Sequence, residues 1–131
     1  MKKTVLIVDD SNTNNFLLKS ILESEGIDSS VASSGSEAFE YLKIENPALI
    51  LLDIMMPNID GFTVLKKIKN NPKTNKIPIV FITAKTDDNI KQKAIEAGAN
   101  DLIQKPIDVT KVLDVVKHFL INYKNERTEI N

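Results

Sequence analysis

Five side chains in this sequence have the types and spacing to do chemistry together. Asp9 and Asp10 follow the apolar run Val5–Val8, Asp53 follows Ala48–Leu52, Thr83 follows Ile77–Ile82, and Lys105 follows Asp101–Gln104. If these runs are neighbouring strands, three acids, a hydroxyl and an ammonium converge on one edge of a sheet. Three carboxylates in one pocket repel each other, and without a counter-ion at least one pKa rises. A hard divalent cation removes that conflict, and Mg²⁺ takes one or two carboxylates together with waters and a phosphate oxygen. A cation, an ammonium and a hydroxyl donor together suit a phosphoryl group in transfer, whose spread negative charge is stabilised by preplaced positive charge. A carboxylate among them can act as nucleophile and form an acyl phosphate. One polar residue at a strand end means little; this many, beside interiors so cleanly apolar, point to a site.

The elements that must position these groups alternate along the chain. Thr4–Val8 is a strand, and Asn12–Glu25 carries Leu17, Leu18, Ile21 and Leu22 at helical spacing until Gly26 stops it. Ile27–Ala32 reads as a short strand containing Val31. Ser34 to Glu37 is a capping box that opens a helix with Ala38, Phe39, Tyr41 and Leu42, and Pro47 marks its exit. Asp60–Asn70 presents Val64, Leu65 and Ile68 on one face, Asp87–Ala97 is helical and ends at Gly98, and Asp108 to about Tyr123 forms the last helix. The runs around residues 5, 50 and 80 are apolar at every position, so both their faces are buried. Continuous burial implies a parallel sheet covered on both sides. Right-handed crossovers then make it doubly wound, an α/β fold of five strands and five helices.

Composition narrows the class. The chain has 131 residues, and 17 Lys and Arg against 18 Asp and Glu leave a net charge of −1. That length suits one compact domain. We expect the domain over residues 1–123 and a short polar tail over 124–131. Cysteine is absent, which excludes disulfides and thiolate metal sites. With one histidine, His118, no His-rich metal site can form. No basic excess exists to displace phosphate counter-ions, so direct nucleic-acid binding is not expected. The apolar runs are too short to span a bilayer, and Met1–Thr4 is not a secretory leader. The expected location is cytoplasmic.

At this point the sequence resembles the receiver domains of two-component response regulators, single-domain and chemotaxis-regulator-like, over about residues 4–121. The resemblance rests on Asp9-Asp10, on Asp53-Ile54-Met55-Met56-Pro57 with Asp60-Gly61, on Thr83-Ala84, and on Gly98-Ala99-Asn100-Asp101 leading to Lys105-Pro106. It implies a flavodoxin-like fold with strand order 2-1-3-4-5. It implies that Asp53 takes a phosphoryl group from a phosphohistidine of a sensor histidine kinase or a histidine phosphotransfer protein. Asp10, Asp53 and the backbone carbonyl of Met55 would bind Mg²⁺ (or Mn²⁺), with Asp9 acting through water and no organic cofactor involved. Thr83 would bond the phosphoryl oxygen, Lys105 would pair with it, and the Lys105–Pro106 bond would be cis. The domain would then catalyse its own phosphorylation and dephosphorylation without being a turnover enzyme. Phosphorylation adds negative charge, and Thr83 would swing toward it. The switch position three before the lysine, usually aromatic, is Leu102, which would move inward. Met55 and Lys85 would tune the lifetime; Met55 has no polar group to orient water, so self-dephosphorylation is expected to be slow. The face around residues 84–110 would switch, either to engage a downstream protein over the 84–123 face or while the domain relays the phosphate, in a monomer or weak phosphorylation-dependent dimer.

Other features carry bland readings beside functional ones. Phe16 is either a scattered surface residue or a contact for the donor protein, with Asn14 and Asn15 able to join it. Lys66, Lys67, Lys69, Lys73 and Lys76 read as a solvated face, Met55-Met56 as strand-end packing, Phe39 and Tyr41 as packing residues, and His118 as a partly exposed helix residue. An aspartyl-phosphate phosphohydrolase would need Asp-x-Asp after the first strand, where Asp9-Asp10-Ser11 stands. A flavin carrier would need a Ser/Thr/Gly-rich phosphate cradle there, and two aspartates would repel the phosphate. Met1 and a tail without linker character favour a complete single-domain regulator over a module of a larger protein.

Overall fold

The computed structural model describes residues 4–84 and 87–130, with side chains as far as residue 121. The elements alternate as β1 (Thr4–Val8), α1 (Asn12–Ser24), β2 (Asp28–Ala32), α2 (Gly35–Ile44), β3 (Leu49–Asp53), α3 (Gly61–Lys69), β4 (Ile79–Thr83), α4 (Ile90–Ala97), β5 (Asp101–Gln104) and α5 (Val109–Ile130). The strands form one sheet in the order β2-β1-β3-β4-β5. Every ladder is parallel.

The strand period of two divides the core into two layers. Leu6, Ile50, Leu52, Ile79 and Phe81 face Ala38, Val64, Leu65, Ile68, Ile90 and Ala94, so α2, α3 and α4 cover one side. Val5, Ile7, Leu49, Leu51, Val80 and Ile82 face Leu18, Ile21, Leu22, Val112, Val116 and Leu120, so α1 and α5 cover the other. A strand interior buried on both sides has no room for polar groups. The polar residues therefore collect where the strands stop.

Local sequence sets where α1, α2 and α3 begin. Ser11, Ser34 and Asp60 each accept a hydrogen bond from the backbone amide three residues on, at 3.2, 3.1 and 2.9 Å. Glu37 reaches back past the N-cap Ser34 and accepts from the Ser33 amide at 2.9 Å. Gly61 is required by a close approach: a Cβ there would stand 2.4 Å from the Asp53 carbonyl oxygen and 2.7 Å from Ile54 Cα. Its amide instead donates to the Ile54 carbonyl at 2.8 Å, which folds α3 back against the end of β3.

Three details differ from the sequence expectation. Leu17 is 40% exposed rather than on the core face, because the stripe that meets the sheet runs through Asn15, Leu18, Ile21 and Leu22. The last helix continues to Ile130, beyond the expected end near Tyr123; no Gly or Pro interrupts Lys124–Ile130, and Lys, Glu and Arg are good helix formers. Lys69 is not simply solvated: its ammonium donates to the Asn75 and Ile77 carbonyls at 3.3 and 3.2 Å, and burial lowers its pKa.

Candidate functional site

β1 and β3 are adjacent, with Val8 opposite Leu52, so Asp9 and Asp53 leave the sheet side by side. β4 flanks β3 with Ile82 opposite Asp53, which puts Thr83 one residue beyond. β5 pairs Gln104 with Thr83, and the Lys105 amide donates to the Thr83 carbonyl at 2.8 Å. The ammonium of Lys105 lies 3.1 Å from Asp9 Oδ2 and 3.8 Å from Asp53 Oδ1. The Lys105–Pro106 peptide is cis. The sheet order thus brings Asp9, Asp10, Asp53, Thr83 and Lys105 to one edge, as their positions at strand ends suggest.

Burial is uneven within the cluster. Asp9, Asp53 and Thr83 are buried, whereas Asp10 is exposed. Asp9 is well supplied with donors. Its Oδ1 accepts from the Ser11 amide at 2.9 Å, and its Oδ2 accepts from Lys105 and, at 3.5 Å, from Asn14 Nδ2. Asp53 Oδ1 accepts from the Met55 amide at 3.2 Å. Burial, and next the neighbouring Asp9 charge, push the Asp53 pKa up to about 6, with Lys105 and the Met55 amide pulling the other way. The side chain of Asp10 makes no hydrogen bond or ion pair among the described residues.

One carboxylate oxygen from each of Asp9, Asp10 and Asp53 lies within 4.8 Å of the others. An all-carboxylate donor set of this size fits a hard divalent cation, whose charge would oppose both the burial and the Asp9 repulsion that raise the Asp53 pKa.

The remaining expectations are distributed around this edge. Met55 is 60% exposed beside Asp53, while Met56 is buried, so only the second of the pair packs. Leu102 is already buried, in the layer with Phe81, Ile90 and Ala94, so it needs no inward movement to reach the core. It borders a cavity of about 450 Å³ with Asp87, Ile90, Lys91 and Gln104. Lys85 lies outside the described residues. Phe16 is 75% exposed on α1. Asn15 is not available to join it: this residue is buried, and its Nδ2 donates to the Asp9 carbonyl at 2.8 Å. Sequence reading missed that bond; the one signal available was an amide standing three and seven residues before Leu18 and Leu22 on the buried stripe.

Comparison with known proteins agrees with this geometry. The family model of the response regulator receiver domain matches residues 5–117. The chain is 42% identical over 108 residues to the response regulator PleD of Caulobacter vibrioides, covering 82% of this chain and 24% of that protein. It is 39% identical over 120 residues to the transcriptional regulatory protein SrrA of Staphylococcus aureus, covering 92% of this chain and 48% of that protein. The chain thus spans half or less of either relative. Its structure is similar to the signal receiver domain of a signal transduction histidine kinase from Syntrophus aciditrophicus, with a TM-score of 0.84, 33% identity and coverage of 92% and 91% of the two chains. Strand order, acidic edge and sequence match converge: this chain belongs to the response regulator receiver domain family of two-component systems.

Proposed function

We propose that Asp53 is the phosphoacceptor, charged from a phosphohistidine on a sensor histidine kinase or a histidine phosphotransfer protein. An oxygen of Asp53 attacks phosphorus while the P–N bond breaks. The imidazole nitrogen leaves with the bonding pair and takes up a proton from solvent. The observation that carries this reading is the state of Asp53: buried at a strand end, with one backbone donor at 3.2 Å and an ammonium at 3.8 Å, and a pKa raised to about 6. That is a carboxylate held short of full stabilisation, suited to accept a group and a charge partner.

The other residues divide the work. Asp10, Asp53 and the Met55 carbonyl would hold Mg²⁺ or Mn²⁺, and Asp9, buried and tied to Lys105, would reach it through water. When bound, the cation neutralises the acidic edge and offsets charge on the transferring phosphoryl oxygens. Lys105 stands between Asp9 and Asp53 and would pair with the phosphoryl oxygens. Thr83 would donate its hydroxyl to the same group. Phe16, exposed on α1 near this edge, would contact the donor protein. The charge acquired at Asp53 would be felt at Thr83, at Leu102 and at the cavity that Leu102 lines, and then across the 84–123 face, where Ile95, Val109 and Ile121 stand 46%, 50% and 57% exposed for a downstream protein.

Beryllofluoride with Mg²⁺ tests this reading without a kinase. The wild-type chain should bind it and shift its amide NMR spectrum around residues 53, 83 and 102, and Asp53→Asn should abolish the shift. Absence of a response in the wild type, or an undiminished one in Asp53→Asn, would overturn the assignment.

A further inference from the structure

Asn15 occupies a core position. It lines up with Leu18, Ile21 and Leu22 on the face of α1 that meets the sheet, and it is 4% exposed. An apolar residue would fill this place without bringing an unpaired polar atom of its own into the core, but it would take away the donor to the Asp9 carbonyl. The carboxamide is only half satisfied: Nδ2 donates to the Asp9 carbonyl at 2.8 Å, while Oδ1 has no partner among the described residues. The orientation is dictated by chemistry, since the Asp9 carbonyl can only accept and the flipped amide would set two oxygens against each other. Packing therefore does not account for an amide here; its single bond to Asp9 does.

That bond sits at a critical peptide. The β1 ladders end at Val8, so the Asp9 carbonyl lies past the last paired residue of its own strand. The same peptide unit carries the amide of Asp10. Asp10 is exposed and its side chain has no partner of its own among the described residues, yet its carboxylate lies within 4.8 Å of those of Asp9 and Asp53. An unsupported carboxylate is aimed by its backbone alone. The Ser11 amide holds the Asp9 side chain, and Asn15 holds the Asp9–Asp10 peptide plane.

We propose that Asn15 is a positioning residue for the acidic edge: through the Asp9 carbonyl it fixes the Asp9–Asp10 peptide and so aims Asp10 at the cation that Asp10 and Asp53 share. This rests on the reading that these carboxylates bind a divalent cation. Partners one step removed from a metal typically change its affinity 10- to 100-fold when lost.

Mg²⁺ titration followed by amide NMR, with calorimetry, tests this on wild type, Asn15→Leu and Asn15→Gln. Thermal unfolding in chelator provides the readout of structure. Asn15→Leu should bind Mg²⁺ at least about 10-fold more weakly while still folding and unfolding cooperatively in chelator. Asn15→Gln, which keeps the donor, should retain more affinity than Asn15→Leu. Wild-type affinity in Asn15→Leu, or equal weakening in both variants, would overturn the proposal. So would loss of folding in both, because a residue that only aims the acidic corner is dispensable to the core. If the wild type binds no Mg²⁺, the functional reading beneath it fails as well, which separates the two.

Discussion

Asp9 and Asp53 are the same residue type, leave adjacent strands, and are 2% and 5% exposed, yet their surroundings differ. Asp9 is surrounded by donors: the β1–α1 corner supplies the Ser11 amide and Asn14 to the carboxylate and Asn15 to the carbonyl, and Lys105 reaches the carboxylate from the end of β5. The β3–α3 loop offers Asp53 the Met55 amide, with Lys105 more distant. One carboxylate is an anchor and the other is poised. Burial alone does not mark a reactive acid; burial with too few donors does.

Lys105 is the sharpest way to break that contrast, since its ammonium touches both acids. Replacing it with Ala should lower the rate of phosphoryl acceptance from a small phosphodonor by about 10²–10³, the usual cost of losing one preplaced donor to a developing charge. Single-turnover phosphorylation with Mg²⁺ held constant measures this. A rate within twofold of wild type would mean that Lys105 serves only the Asp9 anchor.

A second measurement isolates Asp53 by pH. Without a divalent cation its folded pKa is raised to about 6, above the 3.8 of an ordinary aspartate. Between those values the folded chain keeps a proton that the unfolded chain has released. The stability this supplies is complete below pH ~4 and lost as pH rises through about 6. Asp53→Asn has no such loss. In chelator its stability relative to wild type should therefore climb by about 2 kcal/mol between pH 4 and 7, allowing for partial screening. Urea unfolding at several pH values follows the difference, and Mg²⁺ should shrink it at pH 7. A difference independent of pH would mean that Asp53 is as well satisfied as Asp9.

The smallest effect concerns the exposed side of the same loop. Met55 presents a thioether beside Asp53, with nothing to orient an attacking water. Met55→Asn should shorten the phosphoryl half-life several-fold, followed by loss of acid-labile phosphate. An equal or longer half-life would leave Met55 without a part in the chemistry.

Much of this was legible in the sequence. Apolar runs without alternation announced a parallel sheet buried on both faces, and such a sheet admits polar groups only at its ends. Asp9, Asp10, Asp53, Thr83 and Lys105 were therefore visible as a set before any distance was known. Helix starts were legible too, because Ser11, Ser34 and Asp60 act on amides three residues away. Helical periodicity was less discriminating: Leu17 and Leu18 both fit an apolar stripe, and docking against β1 and α5 buried Leu18 and left Leu17 at the surface.

What the sequence determined by itself, then, was the identity of the acidic edge, since local patterning decides where strands and helices begin and end. Tertiary structure alone decided how the edge is divided. Asp9 became an anchor because Lys105, 96 positions away, reaches it from β5. Asn15 turned from a surface candidate into a buried donor because α1 packs its first turns over the end of β1. Hydrogen bonds and desolvation depend on distances of a few ångströms between segments remote along the chain, and no local pattern encodes those distances.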